Sequence, residues 1–223
     1  MNVFLNWSGG KDSAFCLYKA KQQELNVKKL VTSVNEEQDR ISMHGVRRAL
    51  LEQQAVALGL PLETISLPLQ PDMKIYEERI SESNQQLKKD GLSVAVFGDI
   101  FLEDLRQYRE NLYSKDAVEC LFPLWKMDSR ELVREFIKAG FRAIIVCVNA
   151  SLLDPRFCGR MIDEDLIREL PSTVDPCGEN GEYHSFVFDG PVFKKPVTFR
   201  KGAIVQRDYP SGDSSVPFYF CDL

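Results

Sequence analysis

The hexapeptide SGGKDS, residues 8 to 13, contains the residue types that a protein uses to hold a phosphate group. It lies between a short apolar run, NVFLNW, and AFCLYKAKQQE, whose apolar residues recur at helical spacing, so we expect a strand, a glycine turn and a helix start. Such a turn offers backbone N–H groups, the positive end of a helix and the ammonium of Lys11 to an anion. The adjacent glycines do not fit the common P-loop spacing, which disfavours a kinase or GTPase of that kind. The residues predicted to form the phosphate site are Ser8, Gly9, Gly10, Lys11, Asp12 and Ser13.

Two glutamates three residues apart, Glu179 and Glu182, stand in CGENGEYHS, residues 177 to 185. A pair of carboxylates at this spacing can move a proton or hold Mg²⁺. The spacing alone also fits a solvated glycine turn, and it does not say which glutamate would do the chemistry.

Other candidate ligand contacts are single residues. Asp99 follows a buried run, where doubly wound sheets place ligand contacts at the carboxyl ends of their strands; the alternative is a helix cap before LEDLR. His44, at the start of a predicted helix, either reaches a ligand or caps the helix. We interpret Arg106, Arg109 and Arg160 as solvated, because most arginines at helical spacing face water.

Composition excludes several classes of protein. The chain has 223 residues and a net charge of −5, with no block of like charge, which argues against nucleic acid as a partner. Its six cysteines form no C-x-x-C pair, and only two histidines are present, so a reducing compartment is expected and a structural zinc site is not. Without a signal-like or long apolar segment, we predict a cytoplasmic protein with no membrane contact.

Strand and helix patterns alternate through the first half of the chain. Strands are predicted for the apolar runs Val3 to Trp7, KKLVTSV, LETISLPL, SVAVFGDI and AVECLFPLW. Helices are predicted for residues 12 to 24, for residues 44 to 58, for the segment from Met73 to the KKDG motif, and for LEDLRQYRENLYSKD. This alternation predicts an α/β fold with a doubly wound, mostly parallel sheet.

The pattern changes after Trp125. Asp128 and Glu131 form a capping box before a helix, FRAIIVCVN is a strand, a short acidic helix ends at Leu170, and antiparallel strands are expected in YHSFVFDG, KPVTFRKG and AIVQRDYP. SGDSSVP reads as a flexible tail. We predict two domains, residues 1 to 125 and a smaller α+β domain of residues 126 to 223.

Several of these motifs together resemble a known family. SGGKDS matches the pyrophosphate loop of the N-type ATP pyrophosphatases, the PP-loop superfamily, which has an adenine nucleotide alpha hydrolase-like fold. Within this superfamily, the chain resembles the diphthine-ammonia ligase branch over nearly its whole length. The motifs that carry the resemblance are HG at 44 to 45, FGDI at 97 to 100, PLW at 123 to 125 and CGENGEYHSFVFDGPVF at 177 to 193. The sequence departs from the branch at Asn180, where glycine is frequent, and at Ser185, where threonine is usual.

The resemblance implies an ATP-dependent ligase that adenylates a carboxylate and transfers it to ammonium, releasing AMP and pyrophosphate. It implies ATP and Mg²⁺ as cofactors, with Mg²⁺ bound through the ATP phosphates, and diphthine on elongation factor 2 as the carboxylate acceptor. Catalytic roles would fall to Lys11, Asp12, Glu179 and Glu182. Nucleotide contacts would add His44, Gly98 and Asp99 to the phosphate loop, and substrate contacts would come from Asn180, Gly181, Tyr183 and His184.

Three alternatives stay open at this point. The same chemistry could act on a small-metabolite carboxylate, the enzyme could modify transfer RNA, or the chain could be a non-catalytic adenine-nucleotide sensor. Paired cysteines and basic RNA-binding modules are missing from the sequence, which disfavours transfer RNA, and the glutamate pair disfavours the sensor. A homodimer is expected only because it is the commonest assembly.

Overall fold

The computed structural model describes residues 1–41, 45–69, 71–211 and 214–223, in which two sheets are flanked by helices. The helices are α1 (Lys11–Gln22), α2 (Arg48–Leu58), α3 (Met73–Lys89), α4 (Glu103–Ser114), α5 (Ser129–Lys138) and α6 (Glu164–Glu169). The strands are β1 (Asn2–Asn6), β2 (Asn26–Asn35), β3 (Arg40–Ile41), β4 (Leu62–Leu67), β5 (Val94–Val96), β6 (Glu119–Leu121), β7 (Arg142–Asn149), β8 (Tyr183–Asp189), β9 (Ile204–Ser211) and β10 (Ser214–Cys221). None of the helices within these ranges is long and apolar enough to cross a membrane.

Sheet A, formed by β1 to β6, is mostly parallel. β1 pairs in parallel with β2 on one side and with β5 on the other, β4 extends the β2 side, and β6 extends the β5 side. From β1, the chain therefore adds β2 and β4 on one side of the sheet and then returns to add β5 and β6 on the other side. The reversal puts a crevice at the carboxyl ends of β1 and β5, which is where such sheets bind ligands. The predicted doubly wound α/β fold is confirmed.

Sheet B, formed by β7 to β10, is antiparallel in the order β8-β7-β10-β9. Two predictions for this region were wrong. KPVTFRKG forms no strand, and much of the segment predicted as a flexible tail belongs to β10, which pairs with β9 from Ser214 to Cys221. Antiparallel pairing of Ser214 to Pro217 with β9 outweighs the polar, turn-like composition of SGDSSVP.

The start of α2 also differs from the prediction. The helix was expected from residue 44, which lies outside the described residues, and it begins at Arg48, because Arg47 is extended and forms a bridge with Arg40. Ile41 pairs with Val34 of β2, and its N–H donates to the carbonyl of Val46 at 2.9 Å. By contrast, the predicted cap of α5 is confirmed, since Asp128 accepts a hydrogen bond of 2.9 Å from the N–H of Glu131.

One apolar core joins the two sheets. It includes Phe15 of α1, Phe136 of α5 and Phe141 before β7, with Phe136 and Phe141 stacked at 4.7 Å between ring centroids. A second core, around Phe4, Leu87 and Phe97, lies where α3 and α4 cover sheet A. The shared first core places β8 of sheet B against α1, next to the crevice of sheet A.

Candidate active site

A cavity of about 500 Å³ lies at the carboxyl ends of β1 and β5, within the size range of small-ligand sites. The glycine loop, the turn after β5 and the segment 177–185 all contribute to it. An apolar part of its wall is formed by Val31, Ile41, Leu67, Tyr76 and Ile80. The cavity thus joins the glycine loop to an apolar wall.

The glycine loop has the geometry that the sequence predicted. Gly9 has a φ of +76°, and a Cβ at this position would lie 2.8 Å from Oε1 of Gln54, so glycine is required on two grounds. Gly10 precedes α1 in extended conformation, and the Ser13 hydroxyl donates to its carbonyl at 3.0 Å. Ser8, Gly10 and Ser13 line the cavity at the positive end of α1.

Lys11 supplies the charge of the site. Its side chain is only 1% exposed, forms an ion pair with Asp12, and lies 5.8 Å from the ring centroid of Tyr183. Burial by itself lowers the pKa of Lys11, but the Asp12 carboxylate outweighs it, and the pKa stands above its ordinary value. Lys11 is therefore a permanent cation in the cavity wall, and the Asp12 carboxylate beside it is 32% exposed.

Glu179 lines the same cavity as Lys11. Its Oε1 accepts a hydrogen bond of 2.8 Å from the N–H of Ile100, which ties segment 177–185 to the turn after β5. Burial, followed by the negative charge of Asp12, raises the pKa of Glu179 to about 7. A carboxyl group with this pKa exchanges protons readily near neutral pH.

Glu182 has a different environment from Glu179. It is buried, does not line the cavity, and accepts hydrogen bonds from the N–H groups of Asp175 at 2.9 Å and Asn180 at 3.0 Å. Both carboxylate oxygens are thus used to close the loop of residues 175 to 182. Asn180 is exposed and donates its own Nδ2 to Glu182 at 3.2 Å.

The same loop is held at its other end by Asp175 and Tyr183. Oδ2 of Asp175 accepts from the N–H of Glu179 at 3.0 Å, and the Tyr183 hydroxyl donates to the carbonyl of Pro176 at 2.6 Å. Gly178, with a φ of +70°, has the carbonyl of Tyr183 only 2.8 Å from the place of a Cβ. These contacts fix the direction in which Glu179 points.

The turn after β5 brings Gly98 and Asp99 to the start of α1. A Cβ on Gly98 would lie 2.9 Å from the carbonyl oxygen of Asp12, so any side chain there would push the helix away. Asp99 pairs with Arg109, with 2.7 Å between Oδ2 and Nε and 3.2 Å between Oδ1 and Nη2, and only the second contact has the angles of a hydrogen bond. Arg109 also covers the ring of Phe97 at 4.5 Å.

β8 contributes His184 and Ser185 to the site. Burial, and then the charge of Lys11, lowers the pKa of His184 to about 4, so the imidazole is neutral at physiological pH. The Ser185 hydroxyl accepts a hydrogen bond of 3.0 Å from the N–H of Lys11. Threonine would supply the same hydroxyl, which explains why either residue suits this position.

Most of the residues singled out in the sequence converge on one cavity. Those that line it are Ser8, Gly10, Lys11, Asp12, Ser13, Gly98, Asp99, Glu179, Gly181, Tyr183 and His184. Among the described residues predicted as catalytic or ligand-binding, Gly9, Asn180 and Glu182 do not line it. His44 lies outside the described residues.

Two residues at the site were not predicted as part of it. Arg109 was interpreted as solvated, yet it lines the cavity and pairs with Asp99. Gln54, fully buried on α2, contacts the glycine loop directly. The signal for Gln54 was a polar residue in the apolar helix ALLEQQAVAL, and helical spacing alone cannot separate it from its neighbour Gln53, which is exposed.

The fold and the cavity together define a protein of the doubly wound α/β class with a ligand-sized cavity at the carboxyl ends of its central strands. Residues 1–118 match the family model of the diphthamide synthase N-terminal domain, and residues 128–207 match that of the diphthamide synthase C-terminal domain. The chain therefore belongs to the diphthamide synthase family, and the resemblance seen in the motifs is confirmed.

Similar proteins with curated names agree with this membership. A diphthine–ammonia ligase of Homo sapiens is 29% identical over 231 aligned positions, covering 92% of this chain and 85% of the relative. One of Danio rerio is 29% identical over 215 positions, covering 85% of this chain and 83% of the relative. One of Schizosaccharomyces pombe is 28% identical over 219 positions, covering 90% of this chain and 36% of that longer protein.

Proposed function

We propose that this protein is an ATP-dependent ligase that adenylates the carboxylate of diphthine and transfers the acyl group to ammonia, releasing AMP and pyrophosphate. Membership of the diphthamide synthase family and the names of its relatives support this reaction. The single observation that carries the proposal is the joint presence of Lys11 and Glu179 in one cavity. A permanent cation beside a phosphate loop suits adenylation, and a carboxyl group with a pKa of about 7 suits the handling of ammonium.

In the first half-reaction, a carboxylate oxygen of the acceptor attacks the α phosphorus of ATP, and the bond to the β phosphate breaks. The leaving pyrophosphate gains negative charge, which the N–H groups at the start of α1 and the Lys11 ammonium stabilise. Neutral His184, beside Lys11 in the cavity wall, can hydrogen-bond phosphate or acyl oxygens without adding a second positive charge.

Mg²⁺ fits this site as an ion held mainly by the phosphates. Within the described ranges, there is no group of three His, Cys, Asp or Glu residues that could hold a metal ion, but the partly exposed Asp12 carboxylate borders the phosphate loop. Mg²⁺ usually takes one or two carboxylates together with substrate phosphates, which matches this arrangement. When bound, it would neutralise phosphate charge.

In the second half-reaction, neutral ammonia attacks the acyl carbon, AMP leaves, and the amide forms. The nitrogen arrives as ammonium and must lose a proton, and Glu179 is placed to accept it. A positioned base of this kind typically contributes about 10²- to 10⁴-fold in rate. We assign Glu182 to the support of the loop that carries Glu179, because both its oxygens accept backbone N–H groups.

Other parts of the proposal are less closely tied to the cavity. The division into residues 1 to 125 and 126 to 223 is supported by the separate sheets A and B, although one core joins them. Cytoplasmic location and a homodimer remain predictions from the sequence. A small-metabolite acceptor or a nucleotide sensor has no specific observation in its favour.

The reaction can be tested by product analysis. The protein is incubated with ATP, Mg²⁺, ammonium and elongation factor 2 that carries diphthine, and nucleotides are separated by chromatography while the acceptor is analysed by mass spectrometry. We expect AMP, pyrophosphate and amide in equal amounts. The matched control is elongation factor 2 without diphthine, which should give no AMP.

Two results would count against the proposal. Formation of ADP instead of AMP would mean that the γ phosphate is transferred, which contradicts adenylation. Intact ATP and unmodified diphthine after long incubation, with ATP bound to the protein, would favour the nucleotide sensor.

A further inference from the structure

The buried amide of Gln54 connects three elements that meet beside the cavity. Its Oε1 accepts a hydrogen bond of 2.8 Å from Nε1 of Trp7, at the end of β1. Its Nε2 donates to the carbonyl of Gly9 at 3.0 Å and to the carbonyl of Val187 in β8 at 2.6 Å. Gln54 is 0% exposed, so all three contacts are made without competition from water.

The contact with Gly9 sets the direction of one peptide group. The carbonyl of Gly9 points at Gln54 and also accepts the N–H of Val187 at 2.9 Å. In a trans peptide the next N–H points the opposite way, so the N–H of Gly10 is directed towards Ser8, whose hydroxyl lies 3.3 Å from it and lines the cavity. A flip of this peptide would turn a carbonyl oxygen towards a bound phosphate.

We propose that Gln54 is a positioning residue for the phosphate loop: it holds the Gly9–Gly10 peptide with its N–H towards the pyrophosphate subsite and locks this loop to β8. The inference rests on the proposed function only in taking pyrophosphate as the ligand of the loop. The inference also links the phosphate loop to the segment that bears Glu179. Gln54 connects the loop to β8, and β8 continues directly from that segment.

β8 supports the loop at a second place. Besides Val187, which meets Gly9, Ser185 accepts the N–H of Lys11 at 3.0 Å. Ser185 makes its contact through its side chain, and Val187, two residues further along β8, makes its contacts through its backbone N–H and carbonyl. His184, directly before Ser185, lines the cavity. Movement of β8 would therefore shift both the phosphate loop and His184.

Two substitutions test the inference by different routes. Gln54→Met keeps a side chain of similar volume and removes all three hydrogen bonds, whereas Gln54→Glu keeps an acceptor for Trp7 and removes the amide donor. The matched control is Asn84→Leu, because Asn84 is a 1% exposed amide on α3 that donates to Asp116 at 3.1 Å, away from the loop. The probes are Mg·pyrophosphate and Mg·ATP, titrated by calorimetry, with thermal unfolding measured in parallel.

We expect both Gln54 variants to bind Mg·pyrophosphate about tenfold or more weakly, since the buried carbonyls of Gly9 and Val187 lose the Gln54 amide donor and the Gly9–Gly10 peptide is held less firmly. KM for ATP should rise more than kcat falls. The Asn84→Leu variant should be less thermally stable than the unsubstituted protein. Its affinity for Mg·pyrophosphate and Mg·ATP should stay within about twofold of that of the unsubstituted protein. Gln54 variants that are destabilised but bind both probes with unchanged affinity would overturn the inference.

Hydrogen exchange on the unsubstituted protein gives a test that needs no variant to fold. Binding of Mg·pyrophosphate should slow amide exchange in residues 8 to 13 and in residues 183 to 188 together. Protection confined to residues 8 to 13 would contradict the coupling. Because the binding assays need no turnover, a protein that fails to make AMP but shows these affinity losses would refute the proposed reaction and leave the role of Gln54 intact.

Discussion

The N–H of Lys11 donates a hydrogen bond of 3.0 Å to the hydroxyl of Ser185, which lies 174 residues further along the chain. This bond satisfies one of the N–H groups at the start of α1 and brings β8 of sheet B against the phosphate loop of sheet A. The cavity is consequently built from both sheets, and each of the following predictions tests one part of it.

Lys11→Ala should abolish AMP formation, with a loss of about 10²-fold or more, because it removes the buried cation beside the leaving pyrophosphate. The measurement is AMP release under saturating ATP, with circular dichroism to confirm the fold. Lys19→Ala is the control, since Lys19 lies on the same helix and pairs with Glu135 at the surface, 2.7 Å away. Equal AMP rates in both variants would remove Lys11 from the mechanism.

Glu182→Gln should act on stability more than on chemistry. The new amide must place a donor where a carboxylate oxygen now accepts a backbone N–H, so we expect a loss of about 1 to 3 kcal/mol in the free energy of unfolding. Urea denaturation measures this loss, and the products should keep their normal ratio. A stable variant that releases pyrophosphate but forms no amide would instead make Glu182 the ammonium-handling residue.

Glu179→Gln should separate the two half-reactions through their dependence on pH. Ionised Glu179 is the base, so amide formation by the unsubstituted protein should rise as pH passes through about 7, the pKa of this group. The supply of neutral ammonia also increases with pH. This effect cancels in the ratio of the amide-formation rate of the unsubstituted protein to that of Glu179→Gln. The ratio should grow across this range, while acceptor-dependent pyrophosphate release stays similar; a ratio that does not vary with pH would contradict the assignment.

The same pKa predicts a stability difference with a defined sign. The pKa of Glu179 is raised from 4.5 to about 7 on folding, so the folded state binds more protons than the unfolded state between these pH values. The free energy of unfolding, relative to that of Glu179→Gln, should therefore fall as pH rises from 4.5 to about 7. His184, with its lowered pKa, titrates in both proteins and cancels. Unfolding curves between pH 4.5 and 7 measure the difference, and an opposite slope would show that Glu179 is stabilised as a carboxylate.

Gly98→Ala should weaken binding of Mg·ATP several-fold, because its Cβ would lie 2.9 Å from the carbonyl oxygen of Asp12 and displace the start of α1. Gly202→Ala is a suitable control, since the nearest atoms there lie 3.3 Å away and belong to Asp222, far along the chain from the loop. Calorimetric titration compares the two variants. Unchanged affinity in Gly98→Ala would mean that the loop tolerates a shifted helix.

The sequence predicted the fold class and the phosphate loop because both depend on local patterns. Alternating strands and helices define sheet A, and Gly9, Gly10 and Lys11 act within a single turn. The roles of Glu179 and Glu182 could not be separated, because a spacing of three residues in a loop does not fix which side chain turns inward. Only the backbone donors of Asp175, Asn180 and Ile100 decide that question.

Contacts between distant segments were the features that the sequence could not supply. Arg109 has the spacing of a solvated helical arginine, and its pairing with Asp99 depends on how α4 lies over the end of β5. β10 was missed because a strand beginning Ser-Ser-Val-Pro has weak local preference and is stabilised by β7 and β9 on either side.

The position of β8 in the sequence also decides when, during synthesis, the glycine loop can make its contacts with β8. SGGKDS leaves the ribosome before β8, so the hydrogen bonds from the N–H of Val187 to the carbonyl of Gly9 and from the N–H of Lys11 to Ser185 form only when residues 185 to 187 have followed. A nascent chain that ends before residue 183 would have a glycine loop that lacks its contacts with β8. Capacity to bind pyrophosphate tightly is therefore expected late in translation, after most of sheet A has had time to form.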